Sequence, residues 1–191
     1  MRLLRRVTKR AFDLVGAGVA VLATGPLLAA AAAAARAEVG APALTRYLRA
    51  GRGGEPFAMW QLRTHAASEL GAWLRATGID QLPALWNVVR GEMSLVGPRP
   101  LHPQYVAMAR ERFTVKPGLV GWAQLHRGRS ATWDDEQALD RWYVEHGSLT
   151  VDALIVARAV LDRVRGQPRG AAAAPEPNPA GRAVDADAVL N

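Results

Sequence analysis

Cysteine is absent from the 191 residues, so the chain can form no disulfide framework, no cysteine-ligated zinc site and no cysteine nucleophile. Lysine is almost absent as well, because Lys9 and Lys116 are its only occurrences and arginine supplies the other basic residues. The four histidines do not have the spacing of metal ligands.

The charge balance also limits the possible functions of the chain. Basic residues outnumber acidic ones, and the formal net charge is +7. Such an excess suits nucleic acid, anionic lipid headgroups or phosphorylated substrates, and it does not choose among them. No nucleic-acid recognition motif accompanies the charge, so we expect no nucleic-acid partner. The length suits one domain with appendages.

The longest apolar segment lies near the N-terminus. Leu14 to Ala35 is a run of 22 residues without a charge, and five basic residues precede it. As a straight helix it would measure roughly 33 Å, about the thickness of a bilayer core. A signal peptide and a spanning helix both fit this pattern. A re-entrant hairpin fits as well, because Gly25 and Pro26 lie at the midpoint, where proline removes a hydrogen bond and kinks a helix.

The segment around Asp80 has the pattern of a short helix. Asp80 precedes apolar residues at helical spacing, Pro83 falls in the first turn, and Gly91 follows the last turn. The apolar face consists of Leu82, Leu85, Trp86 and Val89. On this pattern alone the favoured interpretation of Asp80 is an N-cap. The same position would also place an ionised nucleophile beside a bound phosphate, since a helix N-terminus attracts anions.

The remaining chain predicts further short elements. Two strands, Leu44–Arg49 and Phe57–Arg63, flank a Gly/Pro-rich turn and predict a hairpin. Helices are predicted over Ser68–Ala76, Pro103–Phe113 and Val151–Arg165. The last helix carries an apolar stripe that suits either packing in a bundle or lying on a membrane; the stripe comprises Ala153, Val156, Ala157, Val160 and Val164.

Residues 77–100, TGIDQLPALWNVVRGEMSLVGPRP, resemble the signature of the bacterial sugar transferases, which are monotopic polyprenyl-phosphate phosphoglycosyl transferases. The usual form of that signature is R-x-T-S-L-D-E-L-P-Q-L-x-N-V-L-x-G-[DE]-M-S-x-V-G-P-R-P. Further blocks match in the same order, so the resemblance covers residues 7 to 165; these blocks are Lys9-Arg10-Ala-Phe-Asp13, Gln61–Thr64, Lys116–Gln124 and Gly128–Val144.

The resemblance implies a fold and a domain organisation. The expected class is α+β and mostly helical, with a re-entrant helix-break-helix membrane segment kinked at Gly25-Pro26, a small β-hairpin and amphipathic interfacial helices. The corresponding organisation is a basic N-terminal arm, a membrane helix, a cytosolic transferase domain and a disordered Ala/Pro/Gly-rich tail. Their bounds are 1–10, 11–36, 37–165 and 166–191.

The resemblance also implies an activity. The family transfers a sugar 1-phosphate from a nucleotide sugar, here expected to be a UDP-sugar, to polyprenyl (undecaprenyl) phosphate through an aspartyl-phosphosugar intermediate. This is the first membrane step of exopolysaccharide, O-antigen or glycoconjugate synthesis. It implies a Mg²⁺ cofactor and a location at the cytosolic face of the bacterial inner membrane, and it leaves homo-oligomerisation open.

The implied site has one nucleophile, Asp80, and a supporting carboxylate or Mg²⁺ partner, Asp152. The candidate phosphate ligands are Arg63, Arg75, Arg99 and Arg129. Two positions depart from the family: Gln81 replaces a glutamate that would bind Mg²⁺ more strongly, and Gln61 replaces a lysine. These departures leave an alternative, in which the chain is a catalytically weak or inactive homologue that acts as a membrane-bound partner in glycan assembly.

Overall fold

The computed structural model describes residues 2–65, 67–126 and 132–165. This part of the chain is mostly helical and contains two small sheets, which confirms the predicted α+β class. Its helices and strands are α1 (Arg2–Val39), β1 (Leu44–Ala50), β2 (Pro56–Leu62), α2 (Glu69–Thr77), α3 (Leu85–Arg90), β3 (Ser94–Val96), β4 (Gly118–Val120), α4 (Trp122–Leu125), α5 (Trp133–His146) and α6 (Leu149–Val164). The predicted tail, 166–191, and Arg129 lie outside the described residues.

Helix α1 is one continuous helix with Pro26 inside it. The predicted break at Gly25-Pro26 is therefore not confirmed. Proline removes a single N–H from the helical ladder, and the turn before it gains a hydrogen bond from Thr24 Oγ1 to the Ala20 carbonyl at 2.7 Å. Among the described residues, α1 is the one helix long and apolar enough to cross a membrane.

One face of α1 packs along the domain on both sides of Pro26. Ala17 is fully buried before the proline, and Ala31 and Ala35 are buried after it. Small residues allow this close approach: a Cβ on Gly16 would lie 2.4 Å from Leu95 Cδ1. The opposite face is apolar and exposed, with Leu22 at 82%. Helix α1 therefore completes the core with one side and presents an uncovered apolar surface on the other.

The β1–β2 hairpin is antiparallel and pairs Leu44 with Leu62 and Ala50 with Pro56, which confirms the prediction to within one residue at each strand end. The parallel pair β3–β4 was not predicted, because three-residue strands are too short to show a period. Beside this pair, the backbone segments around Gly97 and Gly118 lie so close together that glycine is required. A Cβ on Gly118 would lie 2.0 Å from the Gly97 nitrogen. This contact fixes the loop that carries Arg99.

The helix predicted after Asp80 begins later than expected. Residues Ile79–Ala84 form a 3₁₀ turn, and only Leu85–Arg90 are α-helical. A 3₁₀ turn has about 3.0 residues per turn instead of the 3.6 of an α-helix, so the apolar residues predicted to share one helix face do not line up on it. Trp86 and Val89, expected inside, are 56% and 37% exposed, whereas Val88 is buried.

Two other predicted helices also differ. Residues 103–113 form 3₁₀ turns, Pro103–Tyr105 and Arg110–Thr114, instead of one helix. Helix α6 forms as predicted and Ser148 caps it. Its predicted apolar stripe is divided, because Val156 packs against the core whereas Val160 and Val164 are 55% and 80% exposed. Its buried side carries Asp152 and Ile155.

Candidate functional site

Asp80 is a buried carboxylate, 1% exposed, in the first turn of the 3₁₀ segment. The N-cap of that segment is Gly78, in the left-handed conformation at φ 70°, so the interpretation of Asp80 as an N-cap is wrong. Gly78 also ends α2, and the sharp turn it permits places Asp80 directly after that helix. The backbone therefore directs this carboxylate inward against the β-hairpin.

Gln61 holds the Asp80 carboxylate. Gln61 lies near the end of β2, opposite Thr45, and its Nε2 donates a hydrogen bond to Asp80 Oδ2 at 2.5 Å. Two residues predicted from the sequence as neighbours in function are thus joined by a direct contact. A neutral amide orients the carboxylate without neutralising its charge, whereas a lysine would do both.

Arg163 is a further cation whose charge is coupled to that of Asp80. It lies in the last turn of α6, and it is partly exposed to solvent. Burial lowers the pKa of the Arg163 guanidinium, and the charge of Asp80 acts in the opposite direction. The two side chains therefore interact electrostatically.

Two of the predicted arginine ligands, Arg63 and Arg75, lie at the end of β2 that carries Gln61. Arg75, in the last turn of α2, donates to Thr64 Oγ1 at 2.9 Å and to the His65 carbonyl at 3.1 Å. Arg63 directly follows β2 and is exposed, while Arg99 is half-buried in the loop after β3. Within the described part of the chain, the side chains of Arg63 and Arg99 form no hydrogen bond or ion pair.

Asp152 belongs to a different cluster. It is 2% exposed, pairs with Lys9 Nζ at 2.9 Å and accepts a hydrogen bond from the Tyr143 hydroxyl at 2.6 Å. Burial, and next the Asp152 charge, raise the pKa of Tyr143, so the hydroxyl stays protonated and donates. The structure does not bring Asp152 into contact with Asp80. Asp152 instead ties α1, α5 and α6 together.

The Lys9-Arg10…Asp13 segment docks α1 onto the domain. Asp13 is buried, lies 3.3 Å from Lys9 Nζ, and accepts from Ser94 Oγ at 2.9 Å and from the Leu95 N–H at 3.1 Å. Arg10 donates to the carbonyls of residues 88 and 89, both at 2.6 Å. This matching block of the chain thus makes internal contacts, which hold α1 against the segment that follows Asp80.

The side chains available as metal ligands can be compared with those that the expected Mg²⁺ would need. No group of three or more acidic, histidine or cysteine side chains that could hold a metal is found in residues 2–65, 67–126 and 132–165. Asp152 is occupied by Lys9 and Tyr143, and Gln81 is half-buried beside Asp80. These residues do not form a metal site by themselves. Mg²⁺ is commonly held by one or two carboxylates together with substrate phosphates, and Asp80 with Gln81 fits only that arrangement.

Comparison with known proteins assigns a relationship to most of the chain. A family model described as bacterial sugar transferase matches residues 4–166. An uncharacterized sugar transferase, EpsL of Bacillus subtilis (strain 168), is 33% identical over 173 residues, which cover 81% of this chain and 86% of the relative. The UDP-glucose:undecaprenyl-phosphate glucose-1-phosphate transferase of Caulobacter vibrioides is 38% identical over 181 residues, which cover 80% of this chain and 68% of the relative.

Other relatives are longer proteins. The UDP-N-acetylgalactosamine-undecaprenyl-phosphate N-acetylgalactosaminephosphotransferase of Aeromonas hydrophila is 32% identical over 185 residues, which cover 83% of this chain and 44% of the relative. The chain therefore spans less than half the length of this relative.

Proposed function

This chain belongs to the bacterial sugar transferase family, and we propose on that basis that it transfers a sugar 1-phosphate from a UDP-sugar to polyprenyl (undecaprenyl) phosphate. The relatives named as undecaprenyl-phosphate sugar-phosphate transferases support this reaction. The observation that carries the proposal is the buried Asp80 carboxylate, which Gln61 orients beside a group of arginines. The proposed role is the first membrane step of glycoconjugate synthesis.

Asp80 is the proposed nucleophile. One of its oxygens attacks the sugar-linked phosphorus, the bond to the bridging oxygen breaks, and a nucleoside monophosphate leaves. An oxygen of polyprenyl phosphate then attacks the same phosphorus and releases the Asp80 carboxylate. A covalent intermediate of this kind divides one transfer between a soluble donor and a membrane-held acceptor into two displacements.

The surrounding cations have roles that follow from their positions. Arg63, Arg75 and Arg163 can neutralise charge on the pyrophosphate and on the leaving phosphate, and Arg99 is proposed for the same role because it belongs to the matching signature. Asp80 is 1% exposed, so a phosphorus atom can reach it only when a neighbouring side chain moves. We assign this movement to donor binding, since donor phosphates compete for the same arginines. The Mg²⁺ of the proposal would be held by the donor phosphates with Asp80 and Gln81, and it would offset the phosphate charge.

The membrane arrangement is part of the proposal. We propose a re-entrant α1, which enters and leaves the cytosolic leaflet of the inner membrane. Both halves of the helix pack on one domain, through Ala17 before Pro26 and through Ala31 and Ala35 after it. A spanning helix would separate these halves across the bilayer, so the common packing supports the re-entrant form, which requires the continuous helix to bend at Pro26 when it enters the membrane. The exposed part of the apolar stripe of α6 supports an interfacial position for that helix.

The catalytic proposal is tested with purified full-length protein, undecaprenyl phosphate and a panel of UDP-sugars, and the measured quantity is UMP release. We expect release by the wild type and its loss in Asp80→Asn, which keeps the size of the side chain and removes its charge. Equal release by both would exclude Asp80 as the nucleophile. No release by the wild type or by Gln81→Glu with any donor would favour the non-catalytic partner.

The membrane proposal is tested separately, because the chain has no native cysteine. Arg6→Cys and Glu38→Cys place single thiols at exposed positions near the two ends of α1. Both should be protected from an impermeant maleimide added outside intact cells and labelled after the inner membrane is opened. Opposite accessibility of the two thiols would refute the re-entrant arrangement and favour a spanning helix.

A further inference from the structure

A basic cavity lies on the side of the domain where α1 begins. Its volume is about 460 Å³, and neither Asp80 nor Gln61 lines it. The buried Asp13 and Asp152 belong to its lining, and both are already paired with Lys9. The other charged groups of the lining are all cationic: Arg5, Arg6, Arg10, Arg52 and Lys116.

Lys116 is the cation of this cavity whose charge is least neutralised by neighbouring groups. It is half-buried, and within the described residues it forms no hydrogen bond or ion pair. Burial lowers the pKa of Lys116, the charges of Arg10, Arg52 and Lys9 lower it further, and Asp13 acts the other way. A concave surface that gathers like charges in this way lowers its energy when an anion binds.

The geometry brings two of these cations to one point. Gly91 has φ +87°, and a Cβ built on it would lie 3.5 Å from both Arg10 Nη2 and Lys116 Nζ. The two nitrogens are therefore at most about 7 Å apart, a separation that a single phosphate group can bridge with hydrogen bonds to both. Glycine keeps the backbone from filling the space in front of them.

The surroundings of the cavity indicate a ligand at membrane depth. Leu149, which lines it, is 39% exposed, and on α1 the exposed Val7 and Leu14 lie close to the basic residues of the lining. The cations thus lie at the start of the uncovered apolar face of α1, where a lipid phosphate and its acyl chains would both find partners. A soluble anion would use the charges alone.

We propose that this cavity is a binding site for the phosphate group of an anionic phospholipid, separate from the site at Asp80. The lipid acts there as a bound anchor for the N-terminal half of α1 and takes no part in the transfer reaction. The inference does not depend on the catalytic proposal, because it rests on the cavity and its charges. It assigns Arg52 and Lys116 to lipid binding, although neither lies on the membrane helix.

The test measures lipid retention by native mass spectrometry of the detergent-purified full chain, with phosphatidylglycerol or phosphatidylcholine added. We expect the wild type to retain phosphatidylglycerol in preference to phosphatidylcholine. Each basic residue near a membrane surface contributes about fivefold in affinity, so Arg52→Gln/Lys116→Gln should weaken phosphatidylglycerol retention about 30-fold. The matched control, Arg110→Gln/Arg141→Gln, removes two exposed cations outside the cavity and should change it less than twofold.

Folding is checked with Arg52→Lys/Lys116→Arg, which keeps both charges and should retain the lipid. Loss of retention in this folded pair, an equal loss in the control pair, or no loss in the Gln pair would overturn the proposal. Displacement of the lipid by millimolar inorganic phosphate or by UDP would show a soluble-anion site instead. A raised KM for undecaprenyl phosphate in the Gln pair, with phosphatidylglycerol retention unchanged, would assign the cavity to the acceptor and also overturn it.

Discussion

Replacing Asp152 by asparagine distinguishes a carboxylate that supports the fold from one that takes part in the reaction. The structure places Asp152 against Lys9 at 2.9 Å and Tyr143 at 2.6 Å, without contact to Asp80. Asparagine keeps an acceptor for the Tyr143 hydroxyl and loses the charge that faces Lys9. We therefore expect Asp152→Asn to lower stability first, and to lower activity only as far as the fold is disturbed.

The magnitude follows from the burial of the pair. Removing one partner of a buried ion pair costs about 3–5 kcal/mol. Lys9 keeps a second carboxylate, Asp13, at 3.3 Å, and its side chain is 26% exposed, so the lower value of about 2–3 kcal/mol applies here. In a chain of this length each kcal/mol shifts Tm by about 2–4 °C, and the expected decrease is about 4–12 °C.

The assay is thermal unfolding of the full chain in one detergent, measured beside UMP release below the Tm of the variant. Lys9→Met is the companion variant, because it leaves two buried carboxylates without their cation and should cost more, about 3–5 kcal/mol. The double variant should cost less than the sum of the two single variants, since the pair is coupled. If Asp152→Asn kept its Tm within about 1 °C and lost its activity, the structural role would be refuted.

Three further outcomes follow from single contacts. Arg163→Gln should raise the KM for the UDP-sugar about two- to fivefold in steady-state assays, whereas Arg165→Gln, at the end of the same helix, should not; equal effects would remove the special role of Arg163. Gly118→Ala should abolish accumulation of folded protein, because its Cβ would lie 2.0 Å from a facing backbone nitrogen, while Gly18→Ala, with open space around it, should fold normally in the same expression assay. Gln81→Glu should lower the Mg²⁺ concentration needed for half-maximal UMP release, and an unchanged requirement would show that this side chain does not approach the ion.

The sequence predicted those elements whose signals are local. The hairpin was predicted from its Gly/Pro-rich turn and two flanking strands, and α2 was predicted as Ser68–Ala76, where Ser68 is in fact the N-cap. The short parallel strands β3 and β4 were missed because their pairing joins distant residues. The face of α3 was assigned wrongly because a 3₁₀ turn, which has no separate sequence signal here, precedes it.

In the candidate site, too, the sequence identified individual positions but not the contacts between distant residues. The resemblance identified both Asp80 and Gln61 as site positions, but only the fold shows that the amide donates to the carboxylate. Asp152 was grouped with Asp80, and its actual partner is Lys9, far away in the chain. No period or spacing could connect those two residues, because their contact depends on how α1 docks against α6.

The double role of α1 constrains how this protein is made and handled. Its first 39 residues leave the ribosome before the strands and helices that will cover Ala17 and accept Lys9 and Asp13 have been synthesised. The nascent helix therefore exists for a time with its buried face uncovered. For the same reason, α1 cannot be deleted without loss of the fold, because the deletion would remove a wall of the core together with the cation that Asp152 requires.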